Sequence, residues 1–147
     1  MEDDDYQKLL DIVTKEEDNT ILHTTIKDIN ERKEKLLHEL KLPAELIKEL
    51  LKKLKHYRYT IELPDLEIGS YIRWINLNYS ENLYLTNGSF ICDIMILEDG
   101  IHIRCKNRFG KIHQIKFDEN LIFQKLSEQE TILLQLMDCV KNKKIKC

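Results

Sequence analysis

Three turn signals crowd the segment between Leu83 and Phe117: Asn87-Gly88, Asp99-Gly100 and Asn107-Arg108-Phe109-Gly110, with β-branched and aromatic residues filling the gaps. Asn-Gly and Asp-Gly favour two-residue hairpins because both central positions need positive φ. Four antiparallel strands joined by tight turns fit this spacing. An Asn87-Gly88 hairpin would pair Leu85 with Phe90 and Leu83 with Cys92. An Asp99-Gly100 hairpin would pair Ile96 with Ile103 and Ile94 with Cys105. At Asn107–Gly110 a type I turn with Gly110 as a bulge would pair Ile103 with Ile115, Ile101 with Phe117 and Cys105 with His113. All three registers place apolar side chains on one face, and a one-residue slip would scatter them. Ile91, Met95 and Leu97 then point to the other side, which implies partial cover there.

Tyr71-Ile-Arg-Trp-Ile-Asn-Leu77 reads as an earlier strand, followed by a polar loop, Asn78–Asn82. The expected result is a small antiparallel SH3-like β-barrel; the alternative is an open twisted sheet of about five strands capped by helices. Upstream, Leu22, Ile26, Ile29, Leu36, Leu37 and Leu40 recur at the spacing of one helix face, interrupted by Lys33. Pro43 ends that helix and opens another, since proline is tolerated at a helix start and not within. Leu46, Ile47, Leu50, Leu51, Leu54 and Tyr57 form the second stripe. Ser127-Glu-Gln-Glu130 is a capping box, opening a closing helix over Ser127–Lys141 with a face of Leu133, Leu136, Met137 and Val140. The fold class is therefore α+β: an acidic head at 1–18, a helical hairpin at 19–62, and a small barrel or sheet with a C-terminal helix at 63–147.

The net charge of −3 hides an uneven distribution. Residues 1–18 hold eight acids against two bases, Lys8 and Lys15, so the remainder is net positive. Arg104, Lys106, Arg108, Lys111 and Lys116 cluster in a stretch, 101–117, without acids, and Lys141, Lys143, Lys144 and Lys146 follow near the end. The four cysteines, Cys92, Cys105, Cys139 and Cys147, contain no C-x-x-C pair and are sparse for a secreted disulfide framework. Met-Glu-Asp-Asp-Asp lacks the basic and apolar parts of a secretory signal, and no apolar run reaches the ~18 residues of a membrane span. These features imply a reducing, cytoplasmic setting.

Candidate chemistry is thin. Cys92, Cys105 and His113 share a face in the registers above and could supply three zinc ligands. Cysteine on an isoleucine-rich face is more commonly packing, so no metal and no cofactor are assigned. A Cys105–His113 nucleophile pair would sit in an apolar interior that disfavours the thiolate. The four glycines serve turns and a strand start, leaving none for a phosphate-cradling loop. An enzyme is not expected, and no small-molecule substrate is evident.

Two binding functions remain. The helical stripes, through Leu22, Ile29, Leu36, Leu46, Leu50 and Leu54, exceed what a small barrel can cover and point to protein–protein interaction or self-association. Alternatively Arg73, Trp74, Arg104, Lys106, Arg108, Phe109 and Lys111 set cations beside aromatic rings, as single-strand nucleic-acid binding requires. Cations on the wet face of a sheet also block edge-to-edge aggregation without any ligand.

The segments Tyr71-Ile-Arg-Trp-Ile-Asn-Leu77, Leu83-Tyr-Leu-Thr-Asn-Gly-Ser-Phe90 and Lys116-Phe-Asp-Glu-Asn-Leu-Ile-Phe-Gln-Lys-Leu-Ser127 resemble small uncharacterised proteins of nucleocytoplasmic large DNA viruses. Those proteins pair a Tyr-Ile-Arg strand with a closing Ile-Phe-Lys/Gln-Lys-Leu-Ser segment. The resemblance spans about half the chain and implies a virus-encoded protein of the cytoplasmic replication site or the particle. It assigns no residue a role. The expectation from the whole sequence is a non-enzymatic interaction or assembly protein.

Overall fold

The computed structural model describes residues 25–78 and 83–142. The expected acidic head at 1–18, the first helix's start at 19–24 with Leu22, most of the polar loop at 79–82 and the last lysines at 143, 144 and 146 lie outside the described residues. The chain divides into two units: Lys33–Leu126, and Met1–Arg32 together with Ser127–Cys147.

Within Lys33–Leu126, six strands form one antiparallel sheet. They are β1 (Tyr57–Tyr59), β2 (Tyr71–Asn76), β3 (Ser89–Leu97), β4 (Gly100–Lys106), β5 (Ile112–Lys116) and β6 (Asn120–Lys125), in the order β1-β6-β2-β3-β4-β5. β1 and β5 are edges and do not meet, so the expected barrel gives way to the open sheet. Helix α1 (Ile26–Glu39) runs across the unit boundary, and α2 (Ala44–Lys53) follows Pro43. Lys41, at φ 56°, makes the reversal between them, donating its N–H to the His38 carbonyl.

Strand alternation gives the sheet two separately covered faces. On one, Leu37 of α1 and Ile47, Leu50 and Leu54 of the α2 region cluster with Ile75, Leu121 and Phe123. On the other, Ile72, Trp74, Ile91, Ile103, Cys105 and Ile122 form a second core, closed by Leu66, Leu63 and Phe117. β6 is hydrophobic on both sides because both sides are covered, as its run Leu121-Ile-Phe123 shows. Tyr57, expected in the second helix, instead begins β1 and pairs with Lys125.

Three predicted registers meet different fates. The β4–β5 register is as expected, with Ile103 opposite Ile115 and Cys105 opposite His113. In the β3–β4 hairpin Glu98 and Asp99 form the turn, so Ile96 faces Ile101 and Ile94 faces Ile103. That is a two-residue slip, which preserves the face. The Asn87-Gly88 hairpin does not form. Leu85 bridges Ile75, Thr86 donates its N–H to the Trp74 carbonyl, and β3 pairs with β2 as Tyr71 opposite Phe90. Gly88 is needed for close approach: at φ +103° a Cβ there would lie 2.6 Å from the Tyr71 ring and 2.7 Å from the Ile72 carbonyl oxygen.

A bulge at Cys92 resets β3 between Ile91 and Asp93. Ile91 and Ile94 thereby both reach the second core, while Phe90 points to the opposite face. The expected grouping of Phe90 and Cys92 with Ile94 is corrected on this ground.

In the other unit, helix α3 (Glu128–Asn142) opens with the predicted capping box. Glu130 N–H donates to Ser127 Oγ at 3.0 Å, and Ser127 N–H donates to Glu130 Oε1 at 3.1 Å. Thr25 and Asp28 exchange the same pair of bonds at the head of α1, and Asp138 Oδ1 accepts the Ile26 N–H. Leu134 and Ile29 are buried, whereas the predicted face of Leu133, Leu136, Met137 and Val140 is half-buried.

Candidate interaction surface

The helical stripes do not supply a free surface. Ile29, Leu50 and Leu54 are buried, and Leu36 and Leu46 are half-buried against the first core. The expectation that these residues form a protein interface is corrected accordingly. The sheet is wider than a small barrel, and it offers β1, β6 and β2 as cover for both helices.

What the helices leave open lies toward the β3-β4-β5 end. His102, Arg104 and Lys106 share a face with Phe90, Asp93 and Met95 of β3 and with Ile112, Gln114 and Lys116 of β5, as the registers require. Phe90 is 46% exposed, Ile112 61% and Phe109, at the hairpin tip, 81%. The Arg108 guanidinium lies 4.9 Å from the Phe109 ring centre, a cation–π contact. Asn107 organises the tip: its Oδ1 accepts the N–H groups of both Phe109 and Lys111 at 2.9 Å.

The charges divide into two groups. Asp99 bonds His102 at 2.8 Å and lies 3.8 Å from Lys116 Nζ, which also approaches Glu119 at 3.9 Å. The bond from His102 holds the Asp99 carboxyl below its usual range. Among the described residues, Arg104, Lys106, Arg108 and Lys111 make no ion pair within 4.0 Å, and all four are exposed. The hairpin, with Phe90 of β3 beside it, therefore presents four cations outside any ion pair among the described residues, around two rings and an isoleucine, with Asp93 opposite Arg104 on the same face.

Of the sequence-predicted nucleic-acid contacts, Arg104, Lys106, Arg108, Phe109 and Lys111 come together on this hairpin. Trp74 does not join them. Trp74 is 6% exposed in the second core, with the His113 ring at 6.1 Å, so it cannot stack on a base. Its neighbour Arg73 alternates to the face that carries Phe90 and Lys106, and there its Nε donates to the Thr86 carbonyl at 2.7 Å. Phe90 and Ile112 were not among the candidates. The apolar i,i+3 pair Ile91 and Ile94, out of step with strand alternation, was the available signal for Phe90.

β5 also pairs on one side only. Asn107 N–H bonds the Lys111 carbonyl at 2.9 Å, which fixes the alternation of the ladder. His113 and Ile115 direct their backbone groups to β4. Ile112, Gln114 and Lys116 direct theirs outward, and of these only the Lys116 carbonyl has a partner among the described residues, Asn120 Nδ2 at 2.7 Å. No proline, glycine or bulge interrupts the edge.

Cys105 and Cys92 are placed differently from one another. Cys105 is fully buried, and burial pushes its pKa up to about 12, so the thiolate needed for a nucleophile or a metal ligand is disfavoured. Cys92 sits exposed in the bulge, apart from the buried face it was expected to share with His113. Among the described residues no group of three or more His, Cys, Asp or Glu side chains is placed to hold a metal ion. No described helix is long and apolar enough to cross a membrane. Comparison of the chain with protein-family models, curated proteins and solved structures finds no match.

Proposed function

We propose that this protein is a non-enzymatic interaction module whose contact surface is the β4–β5 hairpin, and whose partner is another protein. One observation carries this reading. The hairpin combines four cations outside any ion pair and exposed Phe109 and Ile112 with a sheet edge whose outward backbone groups, the Lys116 carbonyl apart, have no partner among the described residues. A protein segment can use all of these at once. Exposed apolar side chains rimmed by charge are a usual mark of interaction sites, and an unpaired edge is a ready template for another strand. The viral resemblance would place such a module at a cytoplasmic replication site or in a particle.

The second reading is single-stranded nucleic acid, favoured by the Arg108–Phe109 stack and by Phe90 beside the same cations. It leaves the free backbone edge without a use.

Selection of a random dodecapeptide display library on the immobilised full chain separates the two, with the Arg108→Glu/Lys111→Glu variant as counter-selection. The module reading expects peptides enriched on the parent chain and lost on the variant, and no binding of a dodecameric oligo-dT at low salt. Peptides retained by the variant, or none enriched, would overturn it. Oligo-dT binding that weakens steeply with salt would establish the second reading.

A further inference from the structure

We infer that the β5 edge receives an extended acidic segment as an added antiparallel strand, one whose acidic residues alternate with apolar ones. This rests on the proposed interaction role of the hairpin and names its partner's chemistry. The geometry selects the pattern. Ile112 and Gln114 point both backbone donor and acceptor outward, and Lys116 offers its N–H, its carbonyl being held by Asn120 Nδ2, so a strand laid alongside can bond at each of them.

In an antiparallel ladder, residues that exchange both backbone bonds carry their side chains on the same face. The bonding residues of the incoming segment therefore project to the face that carries Ile112, Gln114 and Lys116, and beyond them Arg104 and Lys106. Lys116 is already engaged by Asp99 and Glu119, but Arg104 and Lys106 on that face, outside any ion pair among the described residues, with Arg108 and Lys111 at the hairpin end, favour carboxylates there. The intervening residues project to the opposite face. Beside them lie Ile115 and Phe117, half-buried members of the second core. Apolar side chains would extend that core by one strand. A second copy of β5 fits less well, because it would bring a second set of lysines to an already basic edge.

The probe is an acetylated, amidated (Glu-Val)6 peptide added to the isotope-labelled full chain. Binding is expected to protect the Ile112, Gln114 and Lys116 amides from exchange while leaving His113 and Ile115 as they were. N-methylation of the glutamates is expected to weaken binding at least roughly tenfold, since each lost bond contributes about 1 kcal/mol. N-methylation of the valines is expected to leave it nearly unchanged. A (Lys-Val)6 peptide is expected not to bind. Gln114→Pro removes an outward N–H that the β5–β4 ladder does not use, and is expected to fold and to lose the peptide; should it not fold, the two N-methyl series decide.

No binding of (Glu-Val)6 overturns this inference, and so does equal sensitivity to both methylations. If display peptides still depend on Arg108 and Lys111 in that case, the hairpin remains the contact surface through side chains alone. If they do not, both readings fall.

Discussion

Lys33 donates a 2.6 Å hydrogen bond from Nζ to the carbonyl of Leu54, from a position only 1% exposed. The lysine that breaks the apolar spacing of α1 thus reaches the residue that caps α2, whose carbonyl also accepts the Tyr57 N–H at 3.0 Å. Burial lowers its pKa from 10.5 to about 8.

That shift has a definite sign. A lysine whose folded pKa is depressed destabilises the native state fully below about pH 8, because the unfolded chain holds its proton more easily. The penalty, about 3 kcal/mol, is relieved as pH rises from about 8 to 10.5. Cys105 opposes it: its folded pKa is raised from 9.0 to about 12, so its contribution is lost above pH 9. Tyr57 and Tyr59, raised by burial, add to that loss above pH 10. Denaturant unfolding is expected to show stability rising between pH 8 and 9 and then levelling. In Lys33→Met the rise disappears. A Lys33→Met profile parallel to the parent's would remove this account of Lys33.

Gly88 is expected to tolerate no side chain. Gly88→Ala drives a Cβ against the Ile72 carbonyl oxygen and the Tyr71 ring at a positive φ, two independent sources of strain. A loss of about 2 kcal/mol or more in urea unfolding is the expected outcome. The Gly69→Ala comparison also has positive φ but nothing within 4 Å, and should cost clearly less.

Trp74, the chain's single tryptophan, reports on its own burial. Its emission should be blue-shifted relative to the unfolded chain and poorly quenched by acrylamide. Addition of oligo-dT should leave it unmoved. A base-dependent change in emission would return Trp74 to the binding surface.

Some of this molecule was legible before its structure. The Ser127–Glu130 box, the Pro43 boundary and the β4–β5 register each depend on local rules, and each sits where those rules put it. Asn87-Gly88 misled because the same glycine chemistry serves a hairpin and a close backbone approach, and only the tertiary neighbours of Gly88 distinguish them. β6 was hidden by its apolar run, which lacks the alternation of a half-exposed strand. With β6 placed between β1 and β2, the sheet became wide enough to occupy both helices, and the case for an exposed helical interface lapsed. The cationic side chains of the hairpin were visible in sequence. The free edge beside them was not, because edge position is a property of strand order.

Amide hydrogen exchange across β5 in the free protein tests the open edge most directly. Exchange at Ile112, Gln114 and Lys116 should be fast while His113 and Ile115, bonded to β4, stay protected, an alternation of at least roughly tenfold. Uniform protection along all five residues would mean that something already covers this edge, and would contradict the surface assigned to this protein.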